Sequence, residues 1–201
     1  MIKAIIFDLN GIFIQSPKLS SRFEEDFGIP KEDFLEKLER IVAKTRKPGA
    51  GPSFVYWSPV LKEWGLKMNE QEFWDYWFKA EKPSEWMIQF SRDLKGKNIK
   101  VFILSNNFKE RAEYYNHYPW LHEVVDRVYF SWETGFIKTD QKSWQLILDE
   151  NNLEPEECLI SFPRFTVWLY IIIRYIAIKT IVDIKKMIAK RYMKLELLDW
   201  I

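Results

Sequence analysis

An acid, a hydroxyl and an amine stand where three short apolar runs give out. Asp8 follows Ile5–Phe7 within IIFDLNGIF (5–13), Ser105 follows VFIL (101–104), and Lys138 ends GFIK (135–138) just before a helical stretch. A carboxylate at the end of a buried strand is costly to place and rarely serves packing. In open α/β sheets the crevice beyond the carboxyl ends of strands is where ligands bind. Taken singly, each residue has a plainer reading: Asp8 as a turn or capping acid, Ser105 as a strand-end hydroxyl, Lys138 as a solvated amine. Their order, with a helical insert after the first strand, makes a chemical site the better reading. Asn10, two residues beyond Asp8, is a neutral amide that can neither give nor take a proton, and Gly11 lets the backbone turn away.

The elements that must position these groups follow from hydrophobic periodicity. Residues 2–8 read as a short buried strand. From 17 to 95 the pattern is helical. Pro30 to Asp33 starts a helix whose apolar face is Phe34, Leu35, Leu38, Ile41 and Val42, and PGAGP (48–52) then breaks the chain. Further stripes are Val60, Leu61 and Trp64, then Phe73, Trp74, Trp77 and Phe78, and Pro83 is expected to open another helix ended by Gly96. Strand–helix alternation follows: strands at 100–104, 128–131 and 158–161, helices at 108–118 and 141–151, and a fifth strand at 179–182 before a lysine-rich tail. Asp140 stands where it would cap the helix after it. Short apolar strands alternating with helices predict an α/β fold, a Rossmann-like parallel sheet with helices on both faces. The helical block after strand one is then a separate cap. The expected division is a core of 1–15 and 86–201 with a cap of 16–85.

The totals set limits. The chain has 201 residues, enough for one domain with a smaller insert. A net charge near +1 gives no reason to invoke nucleic acid or an anionic membrane. The single cysteine, Cys158, excludes an internal disulfide and fits a reducing cytoplasm, and MIKAIIFDL does not read as a signal peptide. The unbroken apolar run Val167 to Ile173 is far short of the roughly 20 residues a membrane span needs, so the expectation is a soluble, cytoplasmic protein. If exposed, 165–178 would favour self-association.

The constellation resembles the haloacid dehalogenase (HAD) superfamily of hydrolases, in the branch of small sugar-phosphate phosphatases and dehalogenase-like proteins with a small helical cap. The resemblance runs through residues 1–161, including YPWLHEVVDRVYFSWETGFIKTD and LILDENNLEPEECLI, and resumes at 178–189. It implies that Asp8 is the nucleophile of a phosphomonoesterase, attacking phosphorus in line to form an aspartyl-phosphate. It further implies that Ser105, Asn106 and Lys138 bind the phosphate of a small phosphorylated metabolite, and that Asp8 with the backbone carbonyl of Asn10 binds Mg²⁺.

Two parts of the family pattern are missing. Asn10 replaces the acid that serves as general acid/base, a loss worth roughly 10²–10⁴ in rate. The aspartates expected after the fourth strand are also absent, since LISFPRFTVWLYIIIRYIAIK has no acid from 159 to 182. Mg²⁺ binding is therefore expected to be weak. Residues 162–177 depart from the family in texture too, consistent either with a compensated pair of frameshifts or with divergence into a buried strand or oligomer contact. Three functions follow: a weakened or inactive Mg²⁺-dependent phosphomonoesterase, a metal-independent dehalogenase-type hydrolase, or a non-catalytic binding member of the fold.

The remaining singular residues have plainer expectations. The aromatic stripes of 54–78 are expected in the cap core before a ring-binding cleft. Cys158 is expected to be a buried small hydrophobe, and His117 and His122 surface residues with no metal-ligand spacing.

Overall fold

A computed structural model describes residues 1–161; the sequence expectations for 162–201, including the fifth strand and the self-association segment, lie outside the described residues. Four parallel strands form the central sheet in the order β5-β4-β1-β6, with β1 Ala4–Phe7, β4 Lys100–Ser105, β5 Arg127–Phe130 and β6 Cys158–Ser161. Alternation along the strands sends side chains to two faces. Ile5, Phe7, Val101, Ile103 and Phe130 pack with Met87 and Ile88 of α5 (Glu85–Gly96), Tyr115 of α6 (Lys109–Asn116) and Val124 of α7 (Pro119–Val124). Ala4, Ile6, Phe102, Leu104 and Tyr129 pack with Trp144, Ile147 and Leu148 of α9 (Gln141–Asn151). The α/β architecture with helices on both faces is as expected.

The parallel register decides what meets at the carboxyl edge. Phe7 pairs with Ile103 on one side and Ser161 on the other, and Ser105 pairs with Phe130. Asp8, Ser105 and Ser161 therefore leave the sheet along one edge. Beyond Asp8 the chain turns at once: Phe13 N and Ile14 N both donate to Leu9 O, at 2.9 and 3.0 Å, and Gly11 takes φ +80°. That left-handed conformation favours glycine.

Between β2 (Ile14–Gln15) and β3 (Lys82–Pro83), which pair as an antiparallel ribbon, lie four helices: α1 Leu19–Phe27, α2 Lys31–Thr45, α3 Phe54–Glu63 and α4 Glu70–Phe78. They share a core of their own in which Phe23, Phe34, Trp57, Phe73 and Trp77 are buried. Trp57 stacks on Phe34 at 5.8 Å and lies 5.1 Å from Phe73, so the aromatic stripes are packing rather than a cleft lining. A capping box, Asn69 with Glu72, starts α4.

Three details differ from the sequence reading. Pro83 lies in β3, and the helix it was expected to open begins at Glu85. The stretch after β4 is two helices, because Pro119 at the start of α7 cannot continue α6. The two-residue strands of the ribbon are too short to leave a periodic signal.

Trp57→Ala is expected to cost about 3–5 kcal/mol, the range for removing a large aromatic from a packed core. Denaturant unfolding of the two proteins checks it.

Candidate functional site

The site residues are brought to one edge by the strand register, and two of them are in direct contact. Lys138 Nζ lies 2.6 Å from Asp8 Oδ1, with the two side chains 6% and 12% exposed. Asp8 Oδ1 also accepts from Leu9 N at 2.7 Å. Lys138 is held from behind. Asn106 Oδ1 accepts from Lys138 N at 2.9 Å, and Trp144 Nε1 donates to Lys138 O at 2.7 Å. Just before it, α8 (Ser131–Thr134) ends at Gly135 with φ +82°. Asp140 caps α9 by accepting from Lys142 N, as its position suggested.

Ser105 is buried, and its Oγ accepts from Asn107 Nδ2 at 3.1 Å, which leaves the hydroxyl proton for another acceptor. Asn106, expected to bind substrate, gives its side-chain oxygen to the Lys138 backbone and, among the described residues, has its amide Nδ2 left over. Asn10 is tied at both ends of its amide: Nδ2 donates to Tyr115 Oη at 2.7 Å, and Oδ1 accepts from Asn107 Nδ2 at 3.1 Å. Tyr115 and Asn107 are buried members of the site region that sequence reading missed. Asn107 had a signal, being next to Asn106; Tyr115 lies eight residues into the following segment and had none.

The donor set for a divalent cation is minimal. Among the described residues no group of three or more His, Cys, Asp or Glu side chains could hold a metal. Asp8 contributes one carboxylate, whose Oδ2 has no hydrogen bond among the described residues. The adjacent strand end offers Ser161, a buried hydroxyl without a partner among those residues, where an acid would strengthen the site. Mg²⁺ is commonly held by one or two carboxylates together with substrate phosphate and water, so the residues fit it at the lower limit.

Other candidates are set aside by their surroundings. Burial pushes the Cys158 thiol up to about 11, so it is a poor nucleophile at neutral pH. Among the described residues, His117 and His122 each hydrogen-bond a nearby backbone carbonyl. Beside Lys138 a cleft of about 900 Å³ is lined by Lys47, Ile137, Thr139, Lys142 and Gln145 among others. Above it the α2–α3 loop is seated on α6 and on the turn after α8: Ser53 N and Oγ both donate to Glu110 at 2.7 Å, and Pro48 lies against Gly135. Among the described residues no helix is long and apolar enough to cross a membrane.

Comparison with known proteins agrees with this fold. A family model described as haloacid dehalogenase-like hydrolase matches residues 2–160. No curated protein matches. A HAD family enzyme from Bacteroides thetaiotaomicron is similar at 17% identity and TM-score 0.66, over 79% of this chain and 83% of that one. That enzyme has also been solved in complex with magnesium and inorganic phosphate. A HAD-like hydrolase from Porphyromonas gingivalis is 17% identical with TM-score 0.63, over 88% of this chain and 100% of that one. L-2-haloacid dehalogenase from Xanthobacter autotrophicus, with chloropropionic acid covalently bound, is 18% identical with TM-score 0.55, over 80% and 69%. At these identities the likeness is one of fold.

Breaking a buried ion pair from one side leaves the other charge uncompensated and typically costs about 3–5 kcal/mol. Lys138→Met is therefore expected to lower stability by an amount of that order, and Asp8→Asn in the same chain to restore part of it. A double-mutant cycle in denaturant checks this.

Proposed function

Because this chain belongs to the haloacid dehalogenase-like hydrolases, we propose that it binds a small phosphorylated metabolite at the Asp8 edge and acts as an attenuated phosphomonoesterase. The observation that carries this is the buried Asp8–Lys138 pair at 2.6 Å. It sets an anionic nucleophile, which needs no deprotonation, beside the cation that offsets the charge of an incoming phosphate. An Asp8 carboxylate oxygen forms a bond to phosphorus while the ester P–O bond breaks. Lys138 Nζ and the Ser105 hydroxyl hold phosphoryl oxygens. The leaving alkoxide takes its proton from water, since the Asn10 amide cannot supply one. Water then hydrolyses the aspartyl-phosphate and frees phosphate. Asp8 and the backbone carbonyl of Asn10 would hold Mg²⁺ weakly; when bound, the ion offsets phosphate charge.

On this reading the helical block, residues 16–85, is a cap that closes over the substrate, and its α2–α3 loop forms the roof beside Lys138. Two features favour low turnover: the neutral Asn10, and Ser161 at a strand end that has no acid. A dehalogenase function is less well supported. Arg111, the one buried arginine among the described residues, is ion-paired with Glu81 and so is not free to hold a halide.

Small phosphomonoesters assayed with and without Mg²⁺ test the reading. Slow phosphate release is expected from the parent, none from Asp8→Asn, and a rise of roughly 10²–10⁴ from Asn10→Asp as proton transfer is restored. Chloride release from 2-chloropropionate without phosphatase activity would favour the dehalogenase instead.

A further inference from the structure

Glu81 is a buried carboxylate that takes part in no step above. It is 4% exposed and immediately precedes β3, the linker by which the chain returns from the cap. Three donors from two parts of the fold converge on it. Ser16 Oγ, from the outgoing linker, reaches Oε1 at 3.1 Å; Arg111 Nη2 reaches Oε1 and Tyr115 Oη reaches Oε2, both at 2.5 Å. Arg111 and Tyr115 belong to α6, the helix that follows Ser105. The Tyr115 oxygen in turn accepts from Asn10 Nδ2, and Asn107 Nδ2 donates both to Asn10 Oδ1 and to Ser105 Oγ. One line of hydrogen bonds, part-buried at Ser16 and buried from Glu81 inward, therefore joins both cap linkers to the loop behind Asp8.

The protons in this line are fixed. Burial raises the Tyr115 hydroxyl well above its ordinary value, so it stays a phenol and gives its single proton to Glu81. Its oxygen can then only accept from Asn10, which must present an amide N–H. Burial works against the charge of Arg111, but Glu81 outweighs it and the guanidinium stays charged, stacked 5.7 Å over Trp77 of the cap. Withdrawal of the returning linker from α6 would leave Arg111 uncompensated and Tyr115 without its acceptor.

We propose that Glu81 and Tyr115 are positioning residues: through them the seated cap holds Asn10, and displacement of the cap and release of Asn10 are one event. The sequence Asn10–Gly11 supplies a readout that needs no catalysis. When the amide is free, Gly11 N attacks Asn10 Cγ and expels ammonia; water then opens the succinimide to aspartate or isoaspartate. In the seated state both ends of the amide are engaged and Gly11 N donates to Ile14 O at 2.7 Å, which opposes ring closure.

The test is the deamidation rate at Asn10 in the full chain, from the one-dalton mass gain of the peptide covering 4–17 during mildly alkaline incubation. Tyr115→Phe is expected to deamidate about tenfold faster than the parent, in line with loss of a buried hydrogen bond. Tyr129→Phe loses a comparable bond, to Asn151 on the opposite sheet face, and should leave the rate unchanged. Ser16→Ala and Glu81→Gln alter only the cap end of the line and should also accelerate it. Equal rates for Tyr115→Phe and Tyr129→Phe would overturn the proposal. So would parental rates in both cap-end variants, which carry the test alone if Tyr115→Phe does not fold. Neither result depends on phosphatase activity.

Discussion

The contact between Asp8 and Lys138 is the constraint around which the rest is arranged. A carboxylate and an ammonium mostly withdrawn from water are tolerated only if paired and held by further hydrogen bonds. The fold supplies such hydrogen bonds from three directions and the alignment of the chains from a fourth. The turn after Asp8 gives Leu9 N, the loop after β4 gives Asn106 to the Lys138 backbone, α9 gives Trp144 Nε1, and the sheet register brings the chain of Asp8 beside that of Ser105. Without a ligand the lysine satisfies the acid. With a phosphate between them, the same lysine would neutralise the charge that otherwise repels the acid. One geometry thus serves both the stability of the free protein and its proposed chemistry.

The helical insert is joined to that edge by packing as well as by polar contacts. Phe108, directly after Asn107, leaves the sheet domain and packs between Trp74 and Trp77 of α4 at 5.5 and 5.4 Å. Three residues on, Arg111 pairs with Glu81. The segment that follows Ser105 is therefore clamped on one side by the insert's aromatic core and on the other by the Asn10 loop. Asn10 suits this role because its amide donates and accepts at once. A carboxylate there would compete with Glu81 for the single proton of Tyr115. The residue proposed to slow the chemistry is thus well matched to the packing around it.

Much of this was legible in the sequence because it rests on local signals. Apolar runs marked β1, β4, β5 and β6, an acid and a hydroxyl at run ends marked Asp8 and Ser105, and helical spacing marked the aromatic core of the insert. Lys138 was found through its place before a capped helix, and the resemblance that named its role is borne out at the level of the family. What escaped was non-local. Glu81 is one charged residue among several in KAEKPS, and nothing nearby shows that it is buried; its partners are 30, 34 and 65 residues away. Tyr115 sits on a helix with little amphipathic contrast. The support that Asn106 gives to the Lys138 backbone likewise depends on a contact 32 residues away.

The central claim is that a phosphate seats on Lys138 and Ser105 against Asp8. A crystal structure of the full chain soaked with tungstate, a heavy and unreactive oxyanion of similar shape, tests it most directly. The account predicts the oxyanion between Asp8 and Lys138, with Lys138 Nζ moved from Asp8 Oδ1 onto an oxyanion oxygen and the Ser105 hydroxyl donating to another. An intact Asp8–Lys138 pair, with tungstate bound only elsewhere or not at all, would contradict it.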